Sequence, residues 1–153
     1  MKYLYNYLLQ HNLKLSSCES FTGGLFASLF TNFKGAGNLF NGGFICYTEV
    51  FKNKYININK QVIKKYGITS NKILNLMLIN TQTKLESDVC FAFTGFAPPI
   101  DKTNKLSGIS SVGFLIKQQA YIYQFKFNKN ISRLKYKQKV IKFVLKKFKK
   151  MTK

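Results

Sequence analysis

The chain has 153 residues, 46% of them hydrophobic, which fits one globular domain large enough to bury a core. Its formal net charge is +20, with 24 lysines against one arginine, and no Asp or Glu follows Asp101. Nucleic-acid binding is nevertheless disfavoured, because base and phosphate recognition relies on the arginine fork and because abundant Lys, Asn, Ile, Phe and Tyr are what an A/T-rich genome encodes.

The remaining polar residues disfavour other classes of protein. Cys18, Cys46 and Cys90 are widely separated and lie in or beside apolar runs, which is typical of reduced cytosolic thiols and not of a disulfide framework. Two Asp, three Glu and one His, without a recognisable ligand spacing, predict no metal and no cofactor. The N-terminal segment predicts an amphipathic helix, and no apolar run has spanning length, so we expect a soluble cytoplasmic protein without a membrane partner.

The predicted elements alternate between helix and strand and end in a hairpin and a long helix. In chain order they are a helix at 2–12, a strand at 13–17, a helix at 22–32, a strand at 42–47, helices at 49–55, 61–66 and 72–85, a strand at 88–94, a hairpin of 109–116 and 120–127, and a helix at 131–149. This order predicts one α/β domain over 1–153, with helices on both faces of a mixed sheet.

A turn between the first strand and the following helix carries the sequence Glu19-Ser20-Phe21-Thr22-Gly23-Gly24. It places a hydroxyl beside two glycines, and backbone N–H groups near Thr22 and Gly23 could stabilise an oxyanion or bind a phosphate. Taken alone, the turn favours a structural interpretation, in which Ser20 or Thr22 is a helix N-cap and the glycines only allow a tight turn and close helix packing.

A second segment, Gly43-Phe44-Ile45-Cys46-Tyr47-Thr48 with Lys52 beyond it, changes that balance. Together the two segments resemble the CinA C-terminal domain family, which has an Ala-Glu-Ser-x-Thr-Gly-Gly turn and a Gly-Phe-x-x-Tyr-[Ser/Thr]-x-x-x-Lys segment. Weaker agreement continues through Tyr66–Ser70, Phe93–Ala97 and Val112-Gly113, so the resemblance spans most of the chain.

The resemblance implies a three-layer α/β/α sandwich and a nicotinamide-nucleotide amidohydrolase of pyridine-nucleotide salvage. Such an enzyme hydrolyses the carboxamide of nicotinamide mononucleotide to nicotinic acid mononucleotide and ammonia. It implies a small-molecule nucleotide as partner, and we expect a homo-oligomer because relatives commonly self-associate.

An amide is a poor electrophile, so its hydrolysis needs an activated nucleophile, oxyanion donors and a proton for the leaving ammonia. We predict Ser20 as nucleophile, Lys52 as base and Tyr47 as proton relay or orienting group. The only histidine, His11, lies outside both motifs, and Cys18 is a rival nucleophile by chemistry alone. The predicted substrate-binding residues are Glu19, Thr22, Gly23, Gly24, Thr94 and Gly95, with Glu19 alternatively holding the turn or accepting from Lys52.

The chain departs from the family pattern at three places. Pro98-Pro99-Ile100-Asp101 replaces Gly-Pro-x-Gly, Asn71 replaces a glutamate, and Asn128–Arg133 replaces an arginine-containing stretch, where Lys129 or Arg133 would have to bind phosphate. The alternative prediction is therefore a non-catalytic nucleotide-binding domain of the same fold. Without the two motifs, the default interpretation is that Lys52 is one solvated lysine among 24 and that Tyr47 is a strand-end aromatic packed on the core.

Overall fold

The computed structural model describes residues 1–127 and 129–153, in which helices and strands alternate. The helices are α1 Lys2–Gln10, α2 Leu25–Thr31, α3 Glu49–Ile56, α4 Lys60–Tyr66, α5 Asn71–Lys84 and α6 Arg133–Met151. The strands are β1 Leu15–Glu19, β2 Phe40–Ile45, β3 Val89–Gly95, β4 Ile109–Ile116 and β5 Gln119–Lys126. In the described part of the chain, no helix is both long and apolar enough to cross a bilayer.

The strands form one mixed sheet in the order β2-β1-β3-β4-β5. Strand β1 runs parallel to both β2 and β3, and its last residue, Glu19, pairs with Ile45 on one side and Phe93 on the other. Strands β4 and β5 are antiparallel to their neighbours. The carboxyl ends of β1, β2 and β3 therefore meet at one edge of the sheet, which is where ligands bind in open α/β folds.

Successive residues of the central strands face two separate apolar cores. Phe91 and Phe93 lie in the core that α1, α2 and α6 cover, whereas Cys90 and Ala92 lie in the core under α3, α4 and α5. Because both faces of the sheet are covered, the central strand β3 is apolar and buried from Val89 to Phe93, as is typical of buried strands. The predicted three-layer α/β/α fold with a mixed sheet is confirmed.

Three element boundaries differ from the sequence prediction in a way that matters for the site. The first strand extends to Glu19, so Ser20 is the first residue beyond it. The next helix begins at Leu25 and not at 22, because Gly23 and Gly24 adopt left-handed φ of 62° and 90°, which a helix excludes. Strand β2 ends at Ile45, so Tyr47 lies in the connection that follows it.

Candidate active site

A cleft of about 150 Å³ opens at the carboxyl edge of the sheet. Four predicted site residues line it: Ser20, Tyr47, Thr94 and Gly95. The other residues that line the cleft are Phe21, Ile68, Thr69, Phe96, Ala97 and Arg133. The sequence predicted no site role for the first five, and for Arg133 only phosphate binding. The signal for those five was the resemblance itself, because Phe21 lies in the serine turn and the other four lie in the segments Tyr66–Ser70 and Phe93–Ala97.

Lys52 lies directly behind Ser20. Thr48 caps α3 by accepting a hydrogen bond from the N–H of Phe51, and the helix then carries Lys52 back under the strand ends. Its Nζ donates to Ser20 Oγ at 3.2 Å and to the backbone carbonyl of Cys46 at 2.6 Å. The motifs therefore predicted a pair of side chains that lie within proton-transfer distance.

The Lys52 side chain is fully buried, and no carboxylate of the described residues forms an ion pair with it. Burial disfavours the ammonium form and lowers the pKa of Lys52 below its ordinary value of 10.5, a shift that Cys46, Cys18 and Glu49 partly oppose by Coulombic attraction. A neutral amine, which can accept a proton, is thus more accessible here than at a solvated lysine. The hydroxyl it faces, that of Ser20, is 8% exposed at the cleft.

The turn after Ser20 differs in detail from the expectation. The N–H of Ser20 donates to Phe93 O at 2.9 Å, and the N–H of Gly23 donates to Ser20 O at 3.0 Å. Gly23 is therefore wrong as an oxyanion donor, since its N–H closes the turn. Across residues 1–127 and 129–153, the N–H groups of Phe21 and Thr22 have no acceptor, and they remain as donors next to the nucleophile.

Three of the predicted substrate-binding residues face away from the cleft. Thr22, Gly23 and Gly24 line a separate surface depression of about 310 Å³ together with Leu134 and Lys137. The structure thus does not place these three residues in the cleft that Ser20 lines. The boundary between the two hollows is the turn itself.

Glu19 holds the turn from behind. Its buried carboxylate accepts hydrogen bonds from the N–H groups of Gly24 at 3.1 Å, Phe26 at 3.1 Å and Ala27 at 2.9 Å. These are the otherwise unpaired donors of the first turn of α2, and a negative charge there is favourable. Glu19 was predicted to bind substrate, to hold the turn or to accept from Lys52. The geometry matches support of the turn, since Glu19 does not line the cleft and Lys52 donates to Ser20 and Cys46.

Tyr47 and Arg133 stand at the mouth of the cleft. The Tyr47 ring is 57% exposed, and its hydroxyl accepts a hydrogen bond from Arg133 Nη2 at 3.4 Å instead of contacting Ser20 or Lys52. Arg133 Nη1 donates to the carbonyls of Ala97 and Pro98 at 3.2 and 3.1 Å. The proline-containing loop that departs from the family pattern therefore positions the only arginine of the chain.

The other departures lie away from the cleft. Asn71 Oδ1 accepts a hydrogen bond from Ser111 Oγ at 3.1 Å at the start of α5. Lys129 is exposed and does not line the cleft, and Asn128 lies outside the described residues. Thr94, by contrast, lines the cleft while its Oγ1 donates to Ile68 O at 2.9 Å, which ties β3 to the start of the α4–α5 connection.

The rival groups for nucleophilic or metal chemistry are poorly placed. Cys18 is fully buried with its Sγ 3.0 Å from Cys46 Sγ, and burial raises the pKa of its thiol well above the ordinary value. His11 lies at the end of α1 against the ring of Tyr7. Among the residues described, no three His, Cys, Asp or Glu side chains are grouped so that they could hold a metal ion.

Comparison with known proteins identifies the family. The sequence profile of the CinA C-terminal domain matches residues 1–152. The chain belongs to the CinA C-terminal domain family. Protein MG115 of Mycoplasma genitalium is 33% identical over 118 residues, which are 77% of this chain and 75% of that protein.

Longer CinA relatives contain the domain as one part. A protein of Caldicellulosiruptor saccharolyticus named for competence-damage induction is 32% identical over 129 residues, which are 84% of this chain but 31% of that protein. This CinA domain thus spans about a third of the length of such relatives.

Solved structures share the CinA fold. CihA, a competence/damage inducible protein of Agrobacterium tumefaciens, superposes with a TM-score of 0.90 at 19% identity, over 99% of this chain and 93% of that one. A CinA superfamily protein of Escherichia coli gives 0.88 at 23% identity, over 97% and 86%.

Proposed function

We propose that this CinA domain is an amidohydrolase that converts nicotinamide mononucleotide to nicotinic acid mononucleotide and ammonia. The observation that carries the proposal is the contact of 3.2 Å between Ser20 Oγ and a fully buried Lys52 Nζ at the base of an open cleft. A serine hydroxyl needs a base to attack an amide, and a desolvated lysine supplies one without histidine.

In the first half of the reaction, neutral Lys52 takes the proton of Ser20 as Oγ attacks the carboxamide carbon. The resulting tetrahedral oxyanion accepts hydrogen bonds from the backbone N–H groups of Phe21 and Thr22, which have no acceptor in the described chain. The Lys52 ammonium then returns its proton to the leaving nitrogen, which departs as ammonia and leaves an acyl ester on Ser20.

In the second half, water attacks the ester while Lys52 again accepts a proton, and the proton returns to Ser20 Oγ as the carboxylate leaves. The same two groups serve both halves, as in other nucleophile and base pairs. The Cys46 carbonyl, 2.6 Å from Nζ, keeps the amine in place whichever protonation state it has.

The size of the cleft supports a planar amide substrate. At about 150 Å³ it is smaller than the roughly 300–1,000 Å³ of sites that enclose a whole ligand. We place the nicotinamide ring inside, against Tyr47, whose face attracts a cationic pyridinium. Ribose and phosphate then lie at the mouth, where the guanidinium of Arg133 is the nearest fixed cation lining the cleft.

The direct test is ammonia release from nicotinamide mononucleotide by the purified chain. We expect turnover that Ser20→Ala abolishes, together with covalent labelling of Ser20 by a slowly hydrolysed acyl analogue. Turnover by Ser20→Ala at the rate of the parent protein would overturn the assigned roles.

The alternative is a non-catalytic nucleotide-binding domain, in which the altered loop after Ala97 no longer supports turnover. Three hydrogen bonds from Arg133, to Ala97, Pro98 and Tyr47, tie that loop to the mouth of the cleft. Calorimetry distinguishes the two functions, since the alternative requires nucleotide binding with no ammonia produced over a long incubation.

A further inference from the structure

A third hollow lies on the face of the molecule formed by α1, α2 and α6, and it shares no residue with the active-site cleft. This α1–α6 groove has a volume of about 420 Å³, against about 150 Å³ for the cleft. Its floor is apolar and consists of Met1, Tyr3, Leu4, Leu29, Ile141 and Leu145. Such a volume lies within the range of small-molecule sites, whose walls are mostly hydrophobic with a few polar groups.

The rim of the groove is cationic. Lys142, Lys146 and Lys149 line it from consecutive turns of α6 and are exposed, so three ammonium groups follow one edge over about 10 Å of helix. Lys149 is held by the ring of Tyr3, whose centroid lies 5.4 Å from its Nζ. No acidic residue occurs on α6 or lines the groove, so nothing in it neutralises these charges.

An apolar floor beneath a cationic edge fits one class of ligand. We propose that the α1–α6 groove binds a single-chain organic anion, with its hydrocarbon tail along Leu29, Ile141 and Leu145 and its acidic headgroup against Lys142 and Lys146. A second copy of the chain fits less well, since two such lysine rims would face each other and repel at a net charge of +20. A neutral apolar ligand would leave the lysine edge without a role.

The two halves of the groove predict separable contributions to affinity. Each methylene buried on the apolar floor strengthens binding by about fourfold. Each exposed lysine that faces the headgroup contributes up to about fivefold, and this part weakens as salt increases. Tail length and salt therefore report on different sides of the same site.

The experiment is calorimetric titration of the full chain with decanoate, octanoate and the neutral decan-1-ol, all as monomers below their micelle concentrations. We expect one site, decanoate binding about 15-fold more tightly than octanoate, and decanol binding more weakly than decanoate. The double variant Lys142→Gln/Lys146→Gln should weaken decanoate binding about tenfold, within a limit of roughly 25-fold for two such lysines, without changing decanol binding.

The matched control is Lys135→Gln/Lys139→Gln, which removes the same charge from the same helix outside the groove. Equal weakening by both double variants would mean that decanoate responds only to overall charge and would overturn the proposal. Equal affinity for decanol and decanoate would also overturn it, as would association with anionic vesicles without binding of monomeric decanoate.

The apolar floor of the groove is tested with Leu145→Gln, which should reduce the difference in affinity between decanoate and octanoate. If that variant does not fold, chemical-shift mapping of the parent protein with decanoate replaces it. Shifts confined to α1, α2 and α6 support the proposal, and shifts at Ser20 and Thr94 instead overturn it. A stable dimer that buries the groove, detected by sedimentation, overturns it as well.

Discussion

Replacing Lys52 by methionine should abolish activity and at the same time stabilise the fold. Methionine has similar length and no charge, so it keeps the packing around a fully buried side chain. Loss of a general base costs roughly 10²–10⁴ in kcat, or about 3–5 kcal/mol of transition-state stabilisation. Removal of a buried ammonium recovers several kcal/mol of desolvation. Leaving the Cys46 carbonyl unpaired costs about 1–3 kcal/mol, so the net stabilisation is about 1–2 kcal/mol.

The pH dependence of this stabilisation has a definite sign. Because burial lowers the pKa of Lys52 below 10.5, the unfolded chain holds a proton that the folded chain has released whenever pH lies between the two values. The stability of the parent protein therefore rises with pH in that window, and the advantage of Lys52→Met shrinks towards pH 10.5. Below the pKa that Lys52 has in the folded protein, its side chain is protonated in both the folded and the unfolded state. The stability advantage of Lys52→Met is then at its full value.

Urea denaturation from neutral to alkaline pH, combined with ammonia release, measures both effects. The control is Lys54→Met, a charge-matched change at an exposed position of the same helix, for which stability and turnover should stay close to those of the parent. A Lys52→Met protein that keeps its turnover would refute the role of the amine as base. One that is less stable than the parent at every pH would refute the argument from desolvation.

The remaining predictions concern residues that support the site without taking part in the reaction. Glu19→Ala leaves three buried or half-buried N–H groups of α2 without an acceptor and should lower the free energy of unfolding by about 3 kcal/mol or more in urea denaturation, whereas Glu19→Gln should lose less. Gly95→Ala should lower the free energy of unfolding by about 1–3 kcal/mol, because a Cβ there would clash with the backbone of β4. The control is Gly37→Ala, where a Cβ would meet nothing within 4 Å. Equal melting temperatures of the two variants would contradict the clash. Cys18→Ala should keep turnover within about twofold, and Ellman's reagent should label no thiol of the native protein but three after unfolding, since Cys18, Cys46 and Cys90 are fully buried. A rapidly reacting native thiol would contradict that.

The parts of the site that the sequence predicted are those fixed by local pattern and parallel pairing. Ser20 and Lys52 are 32 residues apart. Ser20 follows the end of β1, and Lys52 lies on α3, the helix after β2. Because β1 and β2 are parallel and adjacent, their carboxyl ends lie at one edge of the sheet and bring the two residues together. The contact of Tyr47 with Arg133 joins residues 86 apart through the packing of α6, which no local pattern encodes. The same holds for the α1–α6 groove, whose floor exists only after two distant helices meet. The orientation of Thr22 was missed because one turn has two sides, and spacing alone does not choose between them.

Backbone hydrogen bonds at the strand ends explain how the buried amine of Lys52 is kept at a fixed distance from Ser20 Oγ. The N–H of Cys46 donates to Glu19 O at 2.8 Å, so the carbonyl that holds Lys52 belongs to a residue tied to the end of β1. Ser20, the first residue beyond β1, is tied through its own N–H to Phe93 O of β3. Base and nucleophile are thus both anchored to the end of β1, and the side chain of Glu19 fixes the helix that follows. Because these bonds use backbone groups of three adjacent strands, the spacing of the pair depends on the integrity of the sheet, and substitutions that loosen the strand ends should reduce turnover before they unfold the domain.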